Sequence, residues 1–233
     1  MISFKFRHFQ KEAILLSVRW YISYALSYRD LEEMMLERGM EVDHSTIQRW
    51  VVYYAPKLEE KFRKNYKKKV GGSWRMDETY IKIKGVWYYL YRAVDKEGKT
   101  IDFMLSKNRD TDAAKSFFIK AIGNNELPEK ITIDKSGANN AGISAINLLL
   151  TIFSFFGLPF IQIIIRQIKY LNNIVEQDHR GIKKITKPMM GFKAFHSASS
   201  TLAGIELWRM LKKNQHANIA NQNIFEQFYS LAG

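Results

Sequence analysis

Cysteine is absent from the 233-residue sequence, which excludes a disulfide framework and a thiolate zinc site. The amino-terminal stretch MISFKFRHFQKEAILL lacks a long apolar core followed by a small-residue cleavage site, so it does not read as a signal peptide. No internal repeat or low-complexity tract is present. Acid is the scarce charge, with 23 Asp and Glu against 36 Lys and Arg, and the net charge is +13. The excess lies at the two ends, +5 over residues 1–70 and +6 over residues 166–233, around a middle of only +2. Such a balance favours a polyanionic partner, either nucleic acid or an acidic membrane surface. A hydrophobic fraction of 46% is ample for a core, and the length suits one large domain or a small one joined to a medium one.

Long apolar runs are also rare. The exception, LLLTIFSFFGLPFIQIII at residues 148–165, reaches the length of a membrane span. Gly157 and Pro159 break it in the middle, and Thr151, Ser154 and Gln162 interrupt it. A helix ending near Phe156 followed by a buried strand at 160–165 accounts for the same residues, so no membrane partner is expected.

The first sixty residues read as an all-α helix-turn-helix domain. Ile14, Leu15, Val18, Ile22, Ala25 and Leu26 follow helical spacing, and Leu31, Met34 and Met35 line a short second helix. Gly39 permits a turn, and Asp43 can cap a third helix whose Ile47, Trp50, Val51 and Tyr54 recur at helical intervals until Pro56 stops it. Its outward residues, His44, Ser45, Thr46, Gln48 and Arg49, carry groups suited to base edges and phosphates. Residues 61–72 read as a basic linker ending in Gly71-Gly72.

Beyond the linker the period changes. RMDETYIKIK, VWYYLYRAVD and TIDFMLSK are rich in β-branched and aromatic residues, and Lys84-Gly85 and Lys96-Glu97-Gly98 separate them as turns. A helix at 111–122, a strand at 130–134, a helix from about Ala141, the strand at 160–165 and helices at 172–185 and 197–213 complete the order βββαβαβα. This predicts an α/β catalytic domain at 73–210, with a mixed sheet flanked by helices in the ribonuclease-H-like arrangement, and a tail at 211–233.

Three acids stand out. Asp77 shares a strand face with Thr79, Ile81 and Ile83, Asp134 follows Ile131 and Ile133 at a strand's carboxyl end, and Glu176 lies on a basic helix. An acid beside buried surface is costly unless paired or metal-bound. Carboxylates gathered around divalent metal beside cationic side chains suit phosphoryl transfer. Arg180, Lys183, Lys184 and Lys187 follow Glu176 at spacings that place most of them on its face. Asp178 lies about 200° round the helix from Glu176, so one of the two faces the other acids. His179 is given no catalytic role.

The contexts of these acids carry a resemblance. MDETY with VWYYLYRAVD, then TIDKSGA, then RQIKYLNNIVEQDH, with GFKAF and TLAGIE downstream, resemble the DDE transposases of bacterial insertion sequences, most closely the insertion-sequence-six family. The likeness spans about residues 6–215. It implies Asp77, Asp134 and Glu176 as catalytic metal ligands holding two magnesium or manganese ions, and water or a 3′-hydroxyl as nucleophile. It further implies binding of terminal inverted repeats and target DNA, at least a homodimer on DNA, and a cytoplasmic, nucleoid-associated protein. The 41 residues between Asp134 and Glu176 exceed the familiar spacing by about two helical turns. The alternative reading is a DNA-binding protein that does not cut, either a regulator or a decayed transposase.

Overall fold

Ser27 opens the short helix α2 (Tyr28–Leu36) with a reciprocal cap. Its hydroxyl accepts from the Asp30 N–H at 3.1 Å, while the Asp30 carboxylate accepts from the Ser27 N–H at 2.7 Å. The chain then turns at Gly39, where φ of +70° calls for glycine. Asp43 next caps α3 (His44–Asn65) by accepting from the Ser45 N–H at 2.8 Å. These features belong to a computed structural model that describes residues 2–4, 8–156, 159–217 and 222–233.

Contrary to the sequence reading, Pro56 does not stop α3. Proline forfeits one backbone hydrogen bond in a helix interior, yet the helix runs on for more than two turns because Leu58 and Phe62 remain fully buried. Their face packs on α7 (Phe195–Lys212), which also receives α1 (Lys11–Ser23). Gly204 makes the approach possible: a Cβ there would lie 2.6 Å from Ile22 Cγ2 and 2.9 Å from Ala55 Cβ. Residues 61–65 therefore extend α3. Lys68 then hydrogen-bonds to the Gln215 carbonyl at 2.8 Å, and Lys67 forms a bridge with His216.

Two compact units result. The first comprises Met1–Lys68, Ile83–Gly85 and Gly181–Gly233, and the second Lys69–Lys82 and Val86–Arg180. α7 and α8 (Ile224–Ser230) thus cluster with the amino-terminal helices, and Trp208 meets Phe228 edge-on at 5.9 Å.

The second unit is built on a five-stranded sheet. β1 (Ser73–Ile83), β2 (Val86–Asp95) and β3 (Thr100–Ser106) form the meander; β4 (Lys130–Thr132) and β5 (Ile164–Arg166) complete the order β3-β2-β1-β4-β5. β3 is antiparallel to β2, whereas β4 runs parallel to β1 and β5 parallel to β4. Lys84 and Gly85, with φ of 49° and 81°, supply the paired left-handed conformations of a tight hairpin. α4 (Thr111–Asn124) and α5 (Gly137–Ser154) cover one face, burying Trp74, Met76, Tyr91, Phe117, Phe118 and Ile131. This order and these directions are those of a ribonuclease-H-like fold.

The strand expected at 160–165 is shorter and lies later. β5 is an edge strand, and Phe160, Ile161 and Ile164 are exposed, because nothing among the described residues covers that edge. Ile163 alone of that run is buried, held by a two-way hydrogen bond with Asn147. α5 ends before Phe156 as expected, while Gly157 lies outside the described residues. No helix among the described residues is long and apolar enough to cross a membrane.

Candidate active site

Asp77 sits midway along β1 with its side chain 19% exposed, and one of its carboxylate oxygens lies 3.7 Å from His179 Nδ1. Burial first, then the neighbouring Glu78 and the more distant Asp134 and Glu176, push its pKa up to about 7. Both other acids of the expected trio therefore act on Asp77 electrostatically. Asp134 follows β4, where one oxygen accepts from the Ser136 N–H at 3.0 Å and helps start α5. Its other oxygen faces Arg109 Nη2 at 3.6 Å. Glu176 projects exposed from the first turn of α6 (Asn173–Thr186), where the helix dipole favours an acid. Among the described residues, the three carboxylates do not close within 4.8 Å of one another.

The rotation of α6 gives the two neighbouring acids on that helix different surroundings. Val175, His179 and Ile182 form its buried face. Asp178 meets the fully buried guanidinium of Arg92 at 2.6 Å, so it is engaged in an ion pair inside the unit while Glu176 stays exposed. Just before α6, Asn172 is buried and donates from Nδ2 to the carbonyl of Met76 at 3.2 Å. It thereby ties the approach to Glu176 to the residue preceding Asp77.

A second pair lies on the opposite face of β1. Glu78, with its side chain 3% exposed, holds Arg109 Nη2 at 3.3 Å, and burial raises its pKa. Arg109 thus spans Glu78 and Asp134. Sequence reasoning missed Glu78, Arg109, Asn172 and Arg92. An arginine amid the apolar run of VWYYLYRAVD was a legible sign of a buried ion pair, whereas Arg109 lies in a connection that carries no periodicity.

A family model described as a DDE domain matches residues 71–215, which include all three acids. Over 215 residues the chain is 40% identical to the transposase for insertion sequence-like element IS431mec of Staphylococcus aureus, spanning 92% of this chain and 91% of that protein. The chain belongs to the insertion-sequence-six family of DDE transposases. The transposase for insertion sequence element IS257 in transposon Tn4003, from the same organism, matches at the same identity and coverage. Among solved structures, the dimeric form of the HTLV-2 integrase catalytic core in complex with magnesium is similar at 18% identity and a TM-score of 0.46, over 69% of this chain and 97% of that one.

In this transposase the residues expected to face DNA lie in several environments. At the start of α3, Ser45, Gln48 and Arg49 are exposed and His44 and Thr46 half-buried, while Ile47 and Trp50 point inward. Arg49 Nη2 donates to Thr46 Oγ1 at 2.9 Å. His44 Nδ1 lies 3.1 Å from a Glu32 oxygen and 3.4 Å from an Asp43 oxygen, a trio close enough to share a cation. Arg180, Lys183, Lys184 and Lys187 are all exposed on or just after α6.

Proposed function

We propose that this transposase cuts and joins DNA at a site formed by Asp77, Asp134 and Glu176, which hold two divalent metal ions, magnesium or manganese. The observation that carries the reading is the placement of Asp77 midway along β1, largely buried beside His179, with Asn172 tying the approach to Glu176 to Met76 and with Asp134 and Glu176 both near enough to act on its charge. Three carboxylates offer a donor set of hard oxygens suited to a small divalent cation. When bound, the ions activate the attacking hydroxyl and neutralise charge on the leaving oxygen.

The chain's own residues supply the remainder. The Asp178–Arg92 ion pair and the Asn172 hydrogen bond hold α6 so that Glu176 faces away from the core. Arg180, Lys183 and Lys184 offer cationic contacts to the DNA backbone from the same helix. Residues 1–60 bind the terminal inverted repeats, with Ser45, Thr46, Gln48 and Arg49 at the base edges and His44 braced by Glu32. Residues 73–210 carry the chemistry. Two repeats must be held together for joining, so the working form is at least a homodimer on double-stranded DNA, in the bacterial cytoplasm.

Incubation of labelled repeat-end DNA with magnesium, against a parallel sample in EDTA, tests the reading. Metal-dependent cleavage at the repeat end is expected. Retained repeat binding with no metal-dependent product would favour the non-cutting DNA-binding protein, a reading that the long Asp134–Glu176 interval keeps in view.

A further inference from the structure

The β1–β2 hairpin carries a strip of aromatic side chains that the reaction as described leaves unused. Along β1, alternation puts Tyr80 and Lys82 on the face of Glu78, opposite Asp77. On β2, Trp87 and Tyr89 share that face. Tyr80 meets Trp87 edge-on at 6.1 Å and Tyr89 at a tilt at 5.5 Å. Lys82 Nζ lies 5.8 Å from the Trp87 ring centroid. Tyr80 and Trp87 remain 50% and 56% exposed. At the other end, Arg109 interacts electrostatically with Tyr80 and reaches Asp134 at 3.6 Å. The strip therefore runs from open rings to a cation beside one of the proposed metal ligands.

We infer that this strip binds unpaired nucleotides of the DNA strand next to the phosphate under attack. The inference rests on the reading of Asp134 as a metal ligand. Paired bases keep their faces stacked within the duplex and show a protein only their edges and backbone. Unpaired bases expose a face, and aromatic side chains bind it regardless of sequence, while nearby cations track the phosphates. Lys82 at one end and Arg109 at the other supply those cations. A second copy of the chain fits the strip poorly, because a two-fold contact sets a patch against itself and would bring Lys82 and Arg109 against like charges.

Equilibrium binding of the full chain to three fluorescent DNAs tests this: a blunt repeat-end duplex, the same duplex with a short unpaired extension on either strand, and the unpaired oligonucleotide alone. The extended duplex is expected to bind about tenfold more tightly than the blunt one, as one or two stacked bases would give. Trp87→Ala and Tyr80→Ala should each remove most of that advantage and weaken binding of the unpaired oligonucleotide. Neither should change affinity for the blunt duplex, and Trp87→Phe should keep most of the advantage. Equal binding of blunt and extended DNA by the unaltered chain overturns the inference. So does an advantage that survives both alanine substitutions, or a shift from dimer to monomer in Trp87→Ala off DNA, which would assign the strip to a second copy. Magnesium-dependent cleavage, followed separately, judges the catalytic reading: ring-dependent binding of unpaired DNA by a chain that never cuts would retain the strip and remove the metal site.

Discussion

Asp178 and Glu176 are two residues apart on one helix, yet their substitutions should fail in different ways. Glu176→Gln removes a proposed metal ligand from an exposed position, so magnesium-dependent strand transfer should be lost while repeat binding and melting temperature persist. A mutant that still joins DNA would show that Glu176 is not a ligand. Asp178→Asn should act through the fold instead, because Asp178 neutralises a guanidinium with no exposure. Breaking such a buried pair typically costs about 3–5 kcal/mol. Asp178→Asn should therefore lower the urea midpoint, with activity falling in proportion to folded protein and the magnesium dependence unchanged. Asp77 adds a pH signature. Its pKa in the folded chain, about 7, lies above the ordinary 3.8. Its contribution to stability is thus complete below about pH 4 and is lost as pH rises through 7. In EDTA the melting temperature should fall between pH 5 and pH 8, and Asp77→Asn should flatten that decline.

Single elements show why parts of the chain were legible. The β1–β2 hairpin could be read from alternation and from Lys84-Gly85, and both strands lie where the pattern placed them to within two residues. α2 and the start of α3 announced themselves through Ser27, Gly39 and Asp43, since caps and turns are local chemistry. The end of α3 did not. Pro56 is a sound local stop signal, and what overrides it is burial of Leu58 and Phe62 against a helix some 140 residues later in the chain. Gly204 within TLAGIE was noticed as motif, but its use is steric. Gly204→Ala should overpack the contact among α1, α3 and α7 and destabilise the full chain by about 1–3 kcal/mol in urea. An unchanged midpoint would mean that these helices separate without cost. The strand at 160–165 was misplaced because an apolar run suggests burial, and only the sheet order shows that β5 stands at an edge. Glu78 and Arg109 escaped notice because their partnership joins a strand to a connection some 30 residues away.

At the level of the whole molecule, the first unit is assembled from both ends of the chain, and Lys11 Nζ hydrogen-bonds to the carbonyl of Gly233. Repeat binding by this unit should be strongly electrostatic, with affinity falling steeply as salt rises because each neutralised phosphate releases counterions. Arg49→Ala in the full chain should weaken binding and, where Arg49 reads a guanine, relax preference there by about 1–3 kcal/mol. Equal affinity of the unaltered chain for repeat and random DNA would refute that assignment. A fragment of residues 1–70 is a poor substitute for the full chain in this measurement, since it lacks the helix on which α1 and α3 bury their apolar faces. It should show little cooperative melting. The same dependence sets an order of events at the ribosome. The second unit lies within residues 69–180 and can close while synthesis continues, whereas the amino-terminal helices, made first, must wait for α7 to emerge. A message cut short after residue 180 would then yield a chain with its three acids in place and no settled amino-terminal unit, the part proposed to hold the repeats.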